Sequence, residues 1–483
     1  MEFSYIRNKI RCYKKDLLLK ILYEQLRYAQ QNKALTFPVW DVLTLIKWTY
    51  LYAEEKYTYK TPRKEDFVIL MDYMKEFNKM LYVRYLKGLS VRDSLFVIGY
   101  QQFYLQKYVH TDTFQRQLAL YTTITIKHNA SDKFKQLTGL TIEDFILFNL
   151  VMWLYINANK IDQKNSFFDG FIWEDMIDIL CQISSKEKVL SYINLLTLNT
   201  SGYTDHINNY KRGIKDNDLQ YYEISFFTMY PFQFLDNKLQ VIHRNVSDYV
   251  CNYYIYDFLK ANDPSFTEHF GKRMEKYVEL GLMEAKCQYI SENDLRKIIS
   301  KESKVVDFVV DNCILIECKA IELPNRPSTL PNSLLFYNAL KDSIVKAYAK
   351  QMLTVANNLQ NAAQQEFFGI IVTYKEFNIC NGLDIWDNLL KHTTIGYAME
   401  NNLHVDLLPP QNLYIMDVAT WDKIIQVMKT TKKSLYKVLL KAKEDDAKPQ
   451  SKKGIFQFHL EQYNINKFDL SYLENESERL NLK

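Results

Sequence analysis

Apolar residues recur at intervals of three and four through roughly the first 200 positions, as in Leu18, Ile21, Leu22 and Leu26. That spacing gathers one face of an α-helix, and it predicts a large, mainly helical domain over residues 1–260. Inside this span, residues 197–218 have the polar, turn-forming composition of a surface loop. Two short β-like runs then flank Asp236-Asn237, a hairpin signal, and helical periodicity resumes from Tyr249 to Leu259. A turn composition at Ala261-Asn262-Asp263-Pro264 marks the boundary of the next unit. From there to residue 428 the order becomes helix, strands, long helix, strand, helix, which predicts an α/β domain around a mixed central sheet. A basic C-terminal segment, 429–483, completes the chain.

The 483 residues fit a multidomain protein of about three units. With 47% hydrophobic and 24% charged residues, the chain is neither disordered nor collagenous nor a coiled coil. Only 12 glycines and 10 prolines occur, which disfavours turn-rich β architectures. The opening MEFSYIRNKIRCYKK mixes charge with aromatics, so neither a signal peptide nor an anchor is expected. The most apolar stretch, Phe145 to Ile156, is twelve residues and contains Asn149. It is too short for a bilayer and reads as a buried helix. A cytoplasmic protein with no membrane partner is the expectation.

Seven cysteines without a CxxC pair suggest neither a disulfide framework nor a zinc knuckle, and the eight histidines show no metal-ligand spacing. No GxxxxGK[ST], GxGxxG or GxSxG occurs, which argues against nucleotide sites and a serine nucleophile elbow. Net charge is only +4 and does not by itself imply nucleic acid. Between Ile98 and Gln117, the side chains of Gln101, Gln102, Gln106, Arg116 and Gln117 stand among aromatics, a pattern suited to a polar network between helices.

The informative segment is KVVDFVVDNCILIECKA, residues 304–320, in which two β-branched runs flank a short polar turn. It predicts a β-hairpin. Asp307, Glu317 and Lys319 lie within the runs, where a buried strand would avoid charge unless it is paired or metal-bound. Strand periodicity puts Glu317 and Lys319 on one face and Cys318 on the other. Asp307 joins them across the hairpin only if Val310 opposes Ile314, leaving Asp311, Asn312 and Cys313 as the connection. A two-residue Asp-Asn turn would pair Asp307 with Ile316 and misdirect Glu317, so an odd-length loop or a bulge is predicted. Two carboxylates converging on one side of a sheet repel unless a divalent cation lies between them, and hard oxygen ligands favour Mg²⁺ or Mn²⁺ over zinc. Such an ion activates water and polarises a phosphodiester, while a neighbouring lysine orients that water or steadies the developing charge.

Residues 307–319 resemble the signature of the PD-(D/E)XK nuclease superfamily, the fold of many restriction enzymes, with Val306 where the family name carries proline. The resemblance spans roughly residues 264–425 and is silent on the first 260. It implies a restriction-endonuclease-like α/β domain in which Asp307, Glu317 and the Cys318 backbone carbonyl bind the metal and Lys319 serves catalysis. It also implies an acidic residue on a preceding helix. Residues 264–282 supply one, with Phe266, Phe270, Met274 and Tyr277 as the core stripe and Glu275 at its border. After a proline-rich loop, the helical pattern from Leu334 to Leu359 carries Gln351 within an apolar stripe, matching the polar position of the family.

Nine lysines against three acids between Lys429 and Lys453 form the densest basic cluster. Lys432, Lys433, Lys437 and Lys441, with Arg326 in the proline-rich loop, are the expected phosphate contacts. The expectation is therefore a metal-dependent endonuclease acting on DNA rather than RNA, in an anti-phage or restriction-like role. Its helical region would meet a protein partner or phage trigger, with homo-oligomerisation open. A catalytically silent nuclease-fold binding or assembly protein is the alternative, and an RNA-cleaving enzyme a further one.

Overall fold

Helices carry most of the chain, and an α/β region with a five-stranded mixed sheet follows the helical one. The computed structural model describes residues 2–31, 38–54, 59–88, 99, 109–158, 173–198, 217–223, 225–235, 238–299, 304–323, 333–465 and 469–479. Two compact units divide the chain, the first comprising 1–109, 135–254 and 328–331, the second 110–134, 255–327 and 332–483.

In the first unit the helices Phe3–Ile10, Lys15–Gln31, Val39–Tyr52 and Lys64–Leu81 bury the residues their periodicity aligns, among them Ile6, Leu22, Trp48 and Phe77. The Phe3 and Trp48 rings meet edge to face at 4.9 Å. Val39–Tyr52 is apolar almost all round, as expected of a helix enclosed in a core. Lys47, on that helix, is buried and donates to the carbonyls of Gln220 at 3.1 Å and Glu223 at 2.8 Å. Desolvation pushes its amine down to about 7. A small sheet joins β1 (Thr197–Leu198), β2 (Phe232–Leu235) and β3 (Lys238–Val241). β2 and β3 pair antiparallel with Leu235 opposite Lys238, the hairpin register expected around Asp236-Asn237, although those two residues lie outside the described ones. Most of the expected loop 197–218 also lies outside them.

The second unit is built on β4 (Tyr289–Ser291), β5 (Phe308–Val310), β6 (Ile314–Lys319), β7 (Phe368–Thr373) and β8 (Leu413–Asp417), hydrogen-bonded in that order. β5 pairs antiparallel with both β4 and β6, whereas β6, β7 and β8 are parallel. All residues of β7 and β8 are buried, so these strands read as continuous apolar runs rather than alternating ones. The helix Phe266–Glu284 contributes Phe266, Phe270, Met274 and Tyr277 to the core, the stripe its periodicity predicts. The helical stretch from Ser333 to Leu359 contains two π-helical segments, Lys341–Val345 and Ala347–Met352. Its close approach to the sheet needs Gly369, where a Cβ would lie 2.8 Å from Met352 Sδ and 3.1 Å from Leu413 Cδ1.

Two expected boundaries differ from the observed ones. Residues 110–134, assigned from their pattern to the helical domain, belong to the second unit. Buried Arg273 holds them by donating to the carbonyls of Leu120, Ile124 and His128 at 2.9, 2.7 and 2.6 Å. These are backbone acceptors left at the end of the π-helical turn Ala119–Thr123 and in the loop after it. The basic stretch after residue 428 is also part of this unit. Its helix Leu435–Asp446 buries Leu435, Val438, Leu439 and Ala442, an amphipathic stripe that the density of lysines hides. Among the described residues, no single helix is long and apolar enough to cross a membrane.

Candidate active site

The hairpin register puts the charged groups together. Val310 opposes Ile314 and Phe308 opposes Ile316, and the same register carried one residue past the ladder brings Asp307 toward Glu317. The connection has three residues, and Asp311 and Asn312 take left-handed backbone angles of φ 50° and 58°. Asp and Asn tolerate that conformation better than other residues with a Cβ. The odd-length loop predicted from the charge pattern is thus present.

Asp307, just before β5, accepts the backbone N–H of Cys318 at 2.7 Å through Oδ2. Glu317 is only 2% exposed. Its Oε1 accepts from the Lys319 amine and, at 2.7 Å, from Gln351 Nε2. Its Oε2 is buried and has no hydrogen-bond partner. Gln351 lies on the π-helical segment Ala347–Met352 and also donates to the Val305 carbonyl at 2.9 Å. It therefore braces Glu317 against the strand entry, a positioning contact to a carboxylate.

Glu275, at the border of its helix stripe, turns its carboxylate toward Asp307. Glu292, which the sequence reading missed, completes the cluster: carboxylate oxygens of Glu275, Glu292 and Asp307 lie within 4.8 Å of one another. Glu292 opens the short helix Glu292–Ile298 directly after β4. Ser291 pairs with Phe308, so Glu292 follows at the position across from Asp307. The available signal was the YISEND sequence, a β-like run entering a helix start with an acidic first turn. Lys272 bridges Glu275 at 2.8 Å and Glu292 at 3.7 Å.

Electrostatics here are unbalanced toward negative charge. Burial, then Glu317 and Glu275, hold the Asp307 carboxyl well above the usual carboxylate range. Burial also raises Glu317, although Lys319 and Gln351 pull against it. Glu275 is raised by burial despite Lys272, with Glu292 adding to the upward push. Burial alone would lower the Lys319 amine, but Glu317 and Asp307 outweigh it and keep the amine protonated. Three carboxylates form an oxygen-only donor set of the kind that fits a hard divalent cation. The three-oxygen cluster pairs Asp307 with Glu275 and Glu292, while Glu317 adjoins it across the hairpin.

The expected phosphate contacts are less uniform. Lys432 and Lys437 are exposed and make no ion pair among the described residues, and Lys433 lies over the Tyr463 ring at 4.8 Å. Lys441 is paired with Asp445 on its own helix, which weakens its assignment as a phosphate contact. Within the same stretch, Lys429, Lys443 and Lys452 bind Glu284, Glu366 and Asp384. Much of the apparent excess is therefore neutralised within the fold. Arg326 lies outside the described residues. Compared with protein-family models, curated proteins and solved structures, the chain finds no match.

Proposed function

We propose that this protein is a metal-dependent phosphodiesterase of the PD-(D/E)XK type, an endonuclease with DNA as its substrate. The observation that carries the reading is the meeting of Asp307, Glu317 and Lys319 at the end of one hairpin, with Glu317 Oε2 left without a partner. Asp307 and Glu317, with the Cys318 carbonyl, would hold Mg²⁺ or Mn²⁺, and Glu275 and Glu292 would hold it directly or through water. When bound, the cation lowers the pKa of a coordinated water and polarises the phosphate. Lys319, kept protonated by Glu317, acts as a fixed positive charge that orients water and steadies charge on the phosphoryl oxygens. It is a poor proton acceptor in that state. Gln351 keeps Glu317 Oε1 engaged, so that Oε2 remains available to the ion. Lys432, Lys433 and Lys437 would supply backbone phosphate contacts. Pairing such a site with a separate helical unit suits an effector in which that unit meets a protein or phage-derived trigger, in an anti-phage or restriction-like role.

The test is cleavage of plasmid and of single-stranded RNA by the purified full chain with Mg²⁺, Mn²⁺ or EDTA. Asp307→Ala and Lys319→Ala should each lower metal-dependent cleavage at least about 100-fold while leaving the far-ultraviolet circular dichroism unchanged. Cleavage that persists in EDTA or in both variants defeats the proposal. Preference for RNA would overturn the substrate assignment alone.

A further inference from the structure

A second cluster, in the same unit but drawn from different residues, has a different chemistry. After β7 the chain returns along β8: the Ile415 N–H donates to the Cys380 carbonyl at 3.0 Å, and Asn381 bridges Tyr414. Because the other side of β8 is taken by β7, Cys380 lies at the β8 edge of the sheet, three strands from β5. Asp446 ends the helix Leu435–Asp446, and His459 lies on the short helix Gln457–Leu460. The Cys380 sulfur, one His459 ring nitrogen and one Asp446 carboxylate oxygen all fall within 4.8 Å of one another.

Burial makes this grouping informative. Cys380 is 0% exposed and His459 2% exposed. Neither ring nitrogen of His459 has a hydrogen-bond partner, and Nε2 lies 3.1 Å from Asp446 Oδ1 without hydrogen-bond geometry. A buried imidazole with both nitrogens unsatisfied is costly, and an ion accepting its lone pair removes that cost at one of them. The carboxylate is held from outside: Asp446 Oδ1 accepts the Lys453 N–H at 3.0 Å and Oδ2 the Tyr414 hydroxyl at 3.4 Å. Such outer contacts orient metal ligands. Phe456, with its ring 5.5 Å from that of His459, closes one side. A nucleophilic role for Cys380 does not fit, because a fully enclosed sulfur meets no substrate.

We propose that Cys380, Asp446 and His459 bind one Zn²⁺ ion as a structural clamp that fastens the C-terminal segment to the edge of the sheet. Thiolate, imidazole and carboxylate together form a borderline-soft donor set that suits zinc rather than Mg²⁺. The sequence gives no such signal, since the ligands come from three elements that only folding unites. This inference is independent of the nuclease reading.

The test uses the full chain, freed of metal with a chelator and dialysed. Titration with Zn²⁺ against a chromophoric chelator should reveal one tight equivalent, and Co²⁺ in its place should give a thiolate-to-metal charge-transfer band. Cys380→Ser should abolish that band. His459→Gln and Asp446→Asn, milder changes should Cys380→Ser fail to fold, should weaken Zn²⁺ binding by at least the roughly 10- to 100-fold that follows loss of an outer partner. Asp307→Asn should keep the equivalent. The proposal is overturned if wild type takes up no tight equivalent, if the equivalent survives both Cys380→Ser and His459→Gln, or if it disappears in Asp307→Asn alone.

Discussion

Asp422 and Asp307 are both carboxylates buried in the second unit, and burial pushes the proton affinity of both upward. Their surroundings then diverge. Asp422 receives Arg116 Nε at 2.6 Å, the Tyr472 hydroxyl at 2.7 Å and the Tyr277 hydroxyl at 2.9 Å, and each of these opposes the push. Arg116 is in turn anchored by Asp112. Asp307 has one backbone donor, while Glu317 and Glu275 add to the push. The first site is a closed account of charges and donors that fastens segment 110–134 and the helix Ser471–Arg479 to the core. The second is open, with four carboxylates against Lys272, Lys319 and Arg296 and a buried oxygen lacking a partner. Burial alone does not tell the two sites apart; how fully their charges and donors are satisfied does.

Breaking the closed network should give the largest loss of stability. Arg116→Ala leaves Asp422 buried and unpaired, a change that costs roughly 3–5 kcal/mol, read as a lowered midpoint in urea. Asp422→Asn added to Arg116→Ala, which keeps an acceptor for the two tyrosines and removes the unpaired charge, should recover part of that loss; equal destabilisation by both would deny the network its pairing role.

The open site should respond in the opposite sense. The Asp307, Glu317 and Glu275 carboxyls hold protons to higher pH in the folded than in the unfolded chain, so the unfolded chain releases them first as pH rises. In EDTA, their contribution to stability is full below the ordinary carboxylate range near 4 and is lost as pH rises through the raised folded values. Saturating Mg²⁺ should restore about 2–3 kcal/mol at pH 8 and almost nothing at pH 4, by thermal melts. Asp307→Asn should flatten this dependence, and a wild-type minus Asp307→Asn difference in metal-free stability that grows with pH from 4 to 8 would contradict it.

Smaller effects should grade the ligands. Glu292→Gln and Glu275→Gln should each raise the Mg²⁺ concentration needed for half-maximal cleavage by about 10-fold, leaving the fold intact; an unchanged requirement in Glu292→Gln would remove it from the site. Smallest of all, Lys432→Ala and Lys437→Ala should each weaken DNA binding a few-fold and lower the salt slope by about one. Lys441→Ala should change neither, because that amine is engaged with Asp445.

The hairpin was legible because a strand has a strict period of two and its charges violate the apolar pattern: Asp307, Glu317 and Lys319 could satisfy one face in only one register. Phe266, Phe270, Met274 and Tyr277 were legible for the same reason at helical period. Glu292 was not, because an acidic residue in a first helical turn is ordinary wherever that turn points. Arg116 was recognisable as part of a polar network, but its partner Asp422 lies 306 positions away, and no local pattern links them. The lysines after residue 428 misled in the other direction, since counting charge ignores Glu284, Glu366 and Asp384, which fold back to meet them.

By itself the sequence determined periodicity and local chemistry: a helical first region, a hairpin that must turn in three residues, and ionisable groups placed where they need compensation. Tertiary structure alone decided which groups meet, moving residues 110–134 into the second unit and bringing Glu292 to Asp307 and His459 to Cys380. The reason is range. Backbone sterics and side-chain periodicity act over a few neighbours, whereas Coulomb and hydrogen-bond satisfaction depend on proximity in space that the local pattern does not encode.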